Sequence, residues 1–444
     1  MDSVWRMLQP VRWVLRTLAV LLNNLYCIPT YVAWMFLVHP IYYINPKLYW
    51  IVEGEFFQWL LTCVGFWSYS AGYYIVESGD NIKNLMDEET LVLVNHQSTS
   101  DVPLLMHNFS AKNTLLQRLN WIMDAVFQYT NFGIVSTLHG DFFINAGRDR
   151  RDASLKDLES YLKNIFLPRE RKWLVLFPEG GFLRKRKDAS KRYAEKMGLP
   201  NLEHVTLPRL GAIQTIINTL APTTDEGQTR RSAAGRLKYV IDMTIAYPDG
   251  DPLDLPTIVT GYRTPCKIQM HYNVYRIDEV PHQNEDELQK WLYDLYIKKN
   301  GMLEHYYATG IFEPELATGG SKPESAPNGR APAVPEGDVV DRARESLPDN
   351  DGYLSRGVSS ATAKSIENQS SDEVELEERS KEEEPKCDEN CACEPLTDDE
   401  RREYGSNYLR MDLLRVSLIH AMFITSTLFH CIVIGSVYQM YMAD

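Results

Sequence analysis

A histidine and an aspartate stand five residues apart where an apolar run ends, in the stretch LVLVNHQSTSDVPLL of residues 91–105. If that run is a strand and a helix begins near Asp101, the turn between them brings the two side chains within reach. Asp101 would then accept a hydrogen bond from one imidazole nitrogen of His96 and leave the other nitrogen free to take a proton. This is the arrangement of an oriented general base.

A capping turn with a solvent-facing histidine explains the same letters. Ser98, Ser100 and Asp101 are residue types that favour a helix N-terminus. Because the chain has ten histidines, the number of histidines expected to have an aspartate at this spacing by chance is roughly one half. The pattern alone therefore leaves both interpretations open.

A second stretch, RKWLVLFPEGGFLRKRK over residues 171–187, reads as a buried strand followed by a turn and a basic segment. The turn contains Phe177, Pro178, Glu179, Gly180 and Gly181. Glycines let backbone N–H groups approach an anion, and a guanidinium such as that of Arg184 can hold a phosphate through two hydrogen bonds. A β-turn beside a solvated basic face accounts for the same residues.

Two further blocks complete the series. GDFFI at residues 140–144 is an apolar run that leads into Arg148, and VTLP at residues 205–208 is an apolar run that ends at Pro208. In chain order, the four blocks resemble those of the glycerophospholipid acyltransferase family: Asn-His-x4-Asp at 95–101, Gly-x-x-Phe-Ile at 140–144, Phe-Pro-Glu-Gly at 177–180 and the apolar run closing on proline. Stretches such as HGDFF, HVTLPR and TIAYPDG look most like the lysophosphatidylglycerol branch of that family.

The resemblance implies that a fatty acyl group passes from acyl-CoA, a co-substrate, to a free glycerol hydroxyl of a lysophospholipid. The expected acceptor is lysophosphatidylglycerol or one like lysophosphatidylethanolamine. His96 would be the catalytic base and Asp101 its orienting partner, with no metal or other cofactor. The substrate-binding residues that the resemblance implies are Arg148, Phe177, Pro178, Glu179, Gly180, Gly181, Arg184 and Pro208.

Two positions depart from the family pattern. Ala146 stands where the second block usually has an arginine, and Gly181-Phe182 stands where Thr-Arg is usual. The phosphate-binding roles of Arg148 and Arg184 are therefore inferred from proximity. One alternative is an acyltransferase for lysophosphatidate, a lysophosphatidylinositol or a monoacylglycerol. An alternative of another class is a non-catalytic, membrane-tethered lipid-binding adaptor.

Three apolar runs without charged residues have the length of about 20 residues that a membrane helix needs; they cover residues 18–44, 56–76 and 416–442. The first is longer than the apolar region of a typical cleaved signal peptide, which is the alternative for it. The second contains Ser68, Ser70 and Gly72, which favours a re-entrant or interfacial hairpin over a span.

Basic residues orient these runs, because Lys and Arg near membrane helices favour the cytosolic side. Arginines precede the first run at positions 6, 12 and 16 and the last run at positions 401, 402, 410 and 415. They predict a multi-pass membrane protein whose catalytic domain faces the cytosol, and the resemblance implies that the membrane is that of the endoplasmic reticulum.

Between the anchors, strand-like runs at 91–94, 173–177 and 239–247 alternate with amphipathic helical patterns at 152–165 and 285–299. This alternation predicts an α/β fold, a largely parallel sheet flanked by helices, with membrane helices at both ends. We predict an N-terminal anchor at 1–80, a catalytic domain at 81–312, a disordered acidic linker at 313–404 and a C-terminal transmembrane segment at 405–444.

The net charge of −14 describes the linker and not a substrate. Residues 371–400 hold fourteen acidic residues against three basic ones, a local balance of −11, so the rest of the chain is near neutral. Membrane and lipid partners are expected, and nucleic acid is not. The seven cysteines suggest no disulfide framework, which favours a reduced cytosolic domain.

Overall fold

The computed structural model describes residues 2–112, 114–145, 147, 150–222, 236–310, 312 and 409–443. The predicted linker at 313–404 lies outside these residues, and so do Ala146 and Arg148. The predicted disorder of the linker and the phosphate-binding role of Arg148 therefore stay predictions.

Seven strands of the described residues form one mixed sheet in the order β1-β7-β6-β2-β5-β3-β4. Neighbouring strands run parallel except β6 and β7, which are antiparallel. The strands are β1 (Tyr74–Gly79), β2 (Thr90–Val94), β3 (Leu119–Asp124), β4 (Phe142–Ile144), β5 (Trp173–Leu176), β6 (Tyr239–Ala246) and β7 (Lys267–Arg276).

Helices cover both faces of this sheet and extend beyond it at the two ends of the chain. In the described residues they are α1 (Asp2–Ile44), α2 (Pro46–Ala71), α3 (Asp101–Ser110), α4 (Asn131–His139), α5 (Arg151–Tyr161), α6 (Leu183–Met197), α7 (Leu210–Leu220), α8 (Leu255–Thr260), α9 (Glu285–Thr309) and α10 (Leu413–Ala443).

Strand β2 shows why the sheet is buried on both sides. All five of its residues are buried, and successive side chains point to opposite faces. Val92 and Val94 join the apolar cluster that includes α2 and α3, whereas Leu91 and Leu93 join the cluster that includes α5, α7 and α9. The predicted α/β fold with a largely parallel sheet is confirmed.

Two predicted helices differ from the observed ones at their ends. The helix predicted at 152–165 is α5, followed by a π turn over Leu162–Phe166. The helix predicted at 285–299 continues to Thr309. Its extension buries Leu303 and Tyr306 against the sheet layer, and this tertiary contact is not visible in the local pattern.

The hydrophobic run at 56–76 is divided between a helix and a strand. Helix α2 ends at Ala71 and is capped by Gly72, whose φ of 91° is left-handed, and β1 begins at Tyr74 opposite Lys267 of β7. Ile75 and Val76 are buried in the sheet. The sheet therefore begins before residue 81, inside the segment assigned to the anchor, because three apolar residues at the end of the run pair with a strand far along the chain.

Helix α2 packs against the α/β domain as well as against the N-terminal helix α1. It packs on both α1 and α3. A Cβ atom at Gly65 would lie 2.8 Å from the Cα atom of His107, so only glycine permits this approach. Two helical segments of the described residues, Gln9–Ile44 and Leu413–Met440, are long and apolar enough to cross a membrane.

The two terminal helices are in contact. The hydroxyl oxygens of Thr30 and Thr427 lie 2.7 Å apart, and Trp34 Nε1 donates to Ser426 Oγ at 2.8 Å. Phe423 stacks on Trp34 with a ring-centroid distance of 4.7 Å. Helix α10 therefore packs against α1, although residues 313–408, which lie outside the described part, separate it in the chain from the sheet.

A buried charged cluster joins α2 to the sheet. Glu53 Oε1 lies 2.7 Å from His139 Nδ1, and Glu53 Oε2 accepts a hydrogen bond from Arg171 Nη2 at 2.8 Å. Tyr31 of α1 donates to Glu53 Oε1 at 3.0 Å. These side chains are at most 2% exposed, so each charge depends on the others for compensation.

Candidate active site

The loop that carries His96 leaves the sheet at the carboxyl end of β2, between β5 and β6. The first residue of the loop, Asn95, is fixed to β6 by its side chain. The Asn95 side-chain amide donates to the Ile245 carbonyl at 2.9 Å, and its side-chain oxygen accepts from the Ile245 N–H at 2.7 Å. The chain then turns outward at His96. The carboxyl edge is where open α/β sheets place their ligand sites.

His96 and Asp101 are hydrogen-bonded to each other. His96 Nδ1 lies 2.9 Å from Asp101 Oδ2, and the Asp101 side chain is fully buried while that of His96 is 11% exposed. Among the described residues, none makes a hydrogen bond with His96 Nε2. The structure thus brings together the pair that the spacing predicts and leaves the second ring nitrogen available to a substrate.

Three further donors hold the Asp101 carboxylate. The backbone N–H groups of Gln97 and Ser98 donate to Oδ2 at 2.8 and 3.0 Å, and the Tyr247 hydroxyl donates to Oδ1 at 2.5 Å. These bonds satisfy a carboxylate that water does not reach. They also stop the carboxylate from rotating away from the imidazole.

The capping interpretation is wrong in its detail. Ser100 occupies the N-cap position of α3 but makes no side-chain bond to the helix; its hydroxyl donates to the Leu253 carbonyl at 2.7 Å. Asp101 is the first helical residue, where the helix dipole favours a negative charge. The helix start therefore supports the orienting carboxylate instead of competing with it.

Tyr247 follows β6 and was not among the predicted site residues. Burial, with the Asp101 charge beside it, raises the pKa of Tyr247 well above its usual value. The hydroxyl consequently stays protonated and remains a donor to Asp101. The stretch TIAYPDG contains it, but its distance from His96 in the sequence gives no sign of the contact.

Glu179 lies in the turn after β5 and binds backbone, not solvent. Its Oε1 accepts the His96 N–H at 2.8 Å, and its Oε2 accepts both the N–H and the hydroxyl of Thr206, each at 2.8 Å. The residue is 2% exposed. One carboxylate therefore links three of the four sequence blocks and positions the histidine. Its predicted contact with substrate stays a prediction.

Glu179 should make stability fall as the pH rises. Burial raises its pKa from 4.5 to about 7, so the folded protein holds this proton more tightly than the unfolded chain. The stability that the group contributes is fully present below pH 4.5 and is lost as the pH rises through about 7. We expect the melting temperature of the wild type to fall over this window relative to that of Glu179→Gln. A difference between the two melting temperatures that stays constant from pH 4.5 to 8 would contradict this assignment.

Two aromatic rings enclose the imidazole. The ring of Phe177 lies 4.1 Å from that of His96, centroid to centroid, and that of Phe182 lies 4.3 Å away. The Leu183 N–H donates to the His96 carbonyl at 2.8 Å. Phe182 belongs to the Gly181-Phe182 pair that departs from the family pattern, so this departure places an apolar ring against the histidine.

The glycine turn is flanked by arginines other than the predicted one. Gly180 has a left-handed φ of 69°, and its carbonyl accepts hydrogen bonds from Arg186 Nε and Nη2 at 3.1 and 2.8 Å. A Cβ atom on Gly180 would lie 3.0 Å from Arg209 Nε. Arg184 is exposed in the first turn of α6, and Pro208 is buried before Arg209.

The guanidinium groups of Arg186 and Arg209 therefore lie against the turn, and neither was predicted as a binding residue. Arg186 belongs to the basic run that marks the segment, and Arg209 directly follows the fourth block. Their proximity to Gly180 arises from the helix start at Leu183 and from the hydrogen bond between the Arg209 N–H and the Pro178 carbonyl, 2.9 Å long.

In the part of the chain that the structure describes, no group of three or more His, Cys, Asp or Glu side chains is arranged to hold a metal ion. Cys27, Cys63, Cys266 and Cys431 are free thiols. That the reaction uses no metal and no cofactor besides the co-substrate stays a prediction.

Comparison with known proteins adds to this geometry. Residues 74–222 match the family described as acyltransferase, and residues 257–332 match the one described as acyltransferase C-terminus. The chain is 42% identical over 311 residues to human acyl-CoA:lysophosphatidylglycerol acyltransferase 1. The aligned residues cover 68% of this chain and 84% of that protein.

More distant relatives are also similar. Lysocardiolipin acyltransferase 1 of Gallus gallus is 25% identical, covering 61% of this chain and 68% of that protein. Among solved structures, the 1-acyl-sn-glycerophosphate acyltransferase PlsC of Thermotoga maritima has 15% identity and a TM-score of 0.35, covering 65% of this chain and 98% of that one.

Proposed function

Because this chain belongs to the acyltransferase family, we propose that it transfers a fatty acyl group from acyl-CoA to a free glycerol hydroxyl of a lysophospholipid. The hydrogen-bonded pair His96–Asp101, with Nε2 free of bonds to described residues, carries the proposal. The strong similarity to proteins named lysophosphatidylglycerol acyltransferases supports that acceptor.

The pair performs general-base catalysis. His96 Nε2 removes the hydroxyl proton while the hydroxyl oxygen attacks the thioester carbonyl carbon. The new carbon–oxygen bond forms, the carbon–sulfur bond breaks, and the imidazolium returns its proton to the departing CoA thiolate. Asp101 accepts a hydrogen bond from Nδ1–H throughout, so it selects the tautomer and stabilises the transient positive charge on the ring.

Buried neighbours keep this pair ready for the reaction. Tyr247 and the loop N–H groups hold Asp101, and Glu179 holds the backbone of His96. The histidine does not need to reorganise when the acceptor arrives, which is how a preorganised site lowers a barrier. Phe177 and Phe182 exclude water from the ring faces.

Arginines at the glycine turn bind the acceptor phosphate. Arg186 and Arg209 lie beside Gly180. Arg148 and Arg184 are the two further arginines that the resemblance to the family blocks suggests for the same role. Guanidinium groups pair with phosphate oxygens in a bidentate manner. A lysophospholipid with a phosphodiester therefore suits the site better than a neutral monoacylglycerol.

The enzyme acts at a membrane of the endoplasmic reticulum, with the site on the cytosolic side. Acyl-CoA is dissolved in the cytosol, whereas a lysophospholipid resides in the leaflet, so the reaction takes place where the two meet. Helices α1 and α10, each with a segment long and apolar enough to cross a bilayer, and the arginines before them support this placement.

An acyl-transfer assay tests the proposal. Membranes that contain the full chain are incubated with lysophosphatidylglycerol, lysophosphatidylethanolamine, lysophosphatidate, a lysophosphatidylinositol or a monoacylglycerol, each with several acyl-CoA donors. We expect the fastest acylation with lysophosphatidylglycerol. A faster reaction with lysophosphatidate or lysophosphatidylinositol would favour the alternative acceptors, and the absence of transfer to all five would favour the adaptor.

A further inference from the structure

Six large apolar side chains are exposed on the described domain outside α1, α2 and α10, and they fall in only two segments. Residues 125–134 expose Val126, Phe127, Tyr129 and Ile134, and residues 255–262 expose Leu255 and Tyr262. Tyr129 is 89% exposed. No charged residue occurs in either segment. Soluble surfaces rarely concentrate exposed apolar groups in this way unless something covers them.

Both segments adjoin the hydrophobic N-terminal helices. Helix α4 begins within the first segment and helix α8 lies within the second, and each helix contacts both α1 and α2. Phe132 packs edge to face on Trp67 of α2, with 6.3 Å between ring centroids. Arg16 of α1 donates to the Ile258 carbonyl of α8 at 3.1 Å. The two segments therefore lie beside the same part of the α1–α2 pair.

Helix α1 continues the apolar surface. Over the same length it exposes a stripe of side chains with helical spacing, while Val20, Asn23 and Cys27 face inward. The exposed residues are Val11, Val14, Leu15, Leu18, Leu21, Leu22 and Leu25. The exposed apolar groups of the domain are thus continuous with a helical segment apolar enough to enter a bilayer.

Both segments also border the histidine loop. Residue 125 directly follows β3, whose carboxyl end lies on the same edge of the sheet as that of β2. The Leu255 N–H donates to Thr99 Oγ1 at 2.9 Å, and the Leu253 carbonyl accepts from Ser100. The apolar segments are therefore attached to the edge at which His96 emerges.

We infer that residues 125–134 and 255–262 form a leaflet-facing surface that inserts into a lipid monolayer and holds the His96 loop against it. Apolar segments that also expose a tyrosine, as these do at Tyr129 and Tyr262, suit the boundary between head groups and acyl chains. Insertion itself needs no catalysis. Delivery of the acceptor from the leaflet to His96 rests on the proposed function.

Photolabelling of the full-length wild type tests the insertion. The protein is reconstituted in phosphatidylcholine liposomes that contain a phospholipid with a diazirine in its acyl chain, irradiated and digested. Lipid adducts are expected on peptides covering 125–138 and 255–262, as well as on α1 and α10. Adducts confined to α1, α2 and α10 would overturn the inference, whatever the activity of the protein.

A charged variant of this surface separates insertion from chemistry. Phe127→Asp with Tyr129→Asp should lower adduct yield on 125–138 and raise the KM for liposome-borne lysophosphatidylglycerol about tenfold, equivalent to about 1.4 kcal/mol. The rate with a short-chain, water-soluble lysophospholipid should not change. Lys290→Glu, which makes the same charge change on an exposed position of α9, is the matched control.

The two failures are distinguishable. If the double variant uses liposome-borne acceptor as well as the control does, the leaflet-facing surface is refuted. If the wild type acylates neither acceptor but still carries adducts on both segments, the surface is supported and the proposed function fails.

Discussion

Replacing His96 with alanine is expected to lower the acyl-transfer rate by about 10²- to 10⁴-fold, the usual contribution of a positioned general base. The imidazole side chain is 11% exposed, and no described residue makes a hydrogen bond with its Nε2. Because the change removes proton transfer and not the arginines at the glycine turn, binding of both substrates should persist. Initial rates with lysophosphatidylglycerol and acyl-CoA, measured in membranes with matched protein amounts, give the test.

A histidine at the opposite edge of the sheet provides the control. His282 lies after β7, which runs antiparallel to β6, and its ring bonds the Val280 carbonyl at 2.9 Å. His282→Ala should keep nearly full activity. Asp101→Asn should lose most of the activity as well, since an amide would present a donor where the ring needs an acceptor. Undiminished transfer by His96→Ala would refute the proposed mechanism.

Replacing Arg171 with methionine is expected to destabilise the fold by about 3–5 kcal/mol, the cost of leaving a buried charge without its partner. Arg171 donates to Glu53 at 2.8 Å, and it also donates to the His139 carbonyl at 3.1 Å. Loss of the guanidinium leaves a fully buried carboxylate facing the ring of His139. The melting temperature of the purified protein in detergent, read through tryptophan fluorescence, measures the effect.

An exposed ion pair that includes Glu170, the residue before Arg171, gives the comparison. Lys47 and Glu170 lie 3.1 Å apart with side chains 79% and 60% exposed, so Lys47→Met should cost less than about 1 kcal/mol. Adding Glu53→Gln to Arg171→Met should restore part of the loss, because it removes the uncompensated charge. Equal melting temperatures for Arg171→Met and Lys47→Met would show that the buried cluster contributes no more than a surface pair.

The contact between His96 and Asp101 and the fold class were predictable because both follow from short-range patterns. Strand β2 is a continuous apolar run, and His96 and Asp101 are separated by one turn. The order of the four blocks supplied the family, which the comparisons confirm. Each of these features depends on a few neighbouring residues or on the order of short motifs along the chain.

The remainder of the site depends on contacts between distant segments. Glu179 reaches both His96 and Thr206, and Tyr247 reaches Asp101. No local spacing encodes such pairs, so the sequence suggests substrate contact for Glu179, whereas the structure buries its carboxylate among backbone donors. The same reason explains the run at 56–76, whose last residues pair with β7.

The structure gives the departure from the family pattern at Gly181-Phe182 a different interpretation from the sequence, because the Phe182 ring contacts the His96 ring. In the sequence it is a missing arginine, and the nearest replacement is Arg184. In the structure Phe182 covers His96, while Arg186 bonds the Gly180 carbonyl. Cationic groups thus remain at the turn but come from different positions, which a residue-by-residue match cannot locate.

The edge position of β1 has a consequence for synthesis of the chain. β1 lies at the end of the sheet beside β7, and Tyr74 faces Lys267. At about 5–20 residues per second, roughly 10–40 s pass between the emergence of the two strands from the ribosome. During that interval α1 and α2 are complete, but the strand that follows them has no partner. The nascent protein must therefore keep an apolar helical pair and an open strand edge from aggregating, so early docking of the pair at the membrane would protect the folding intermediate.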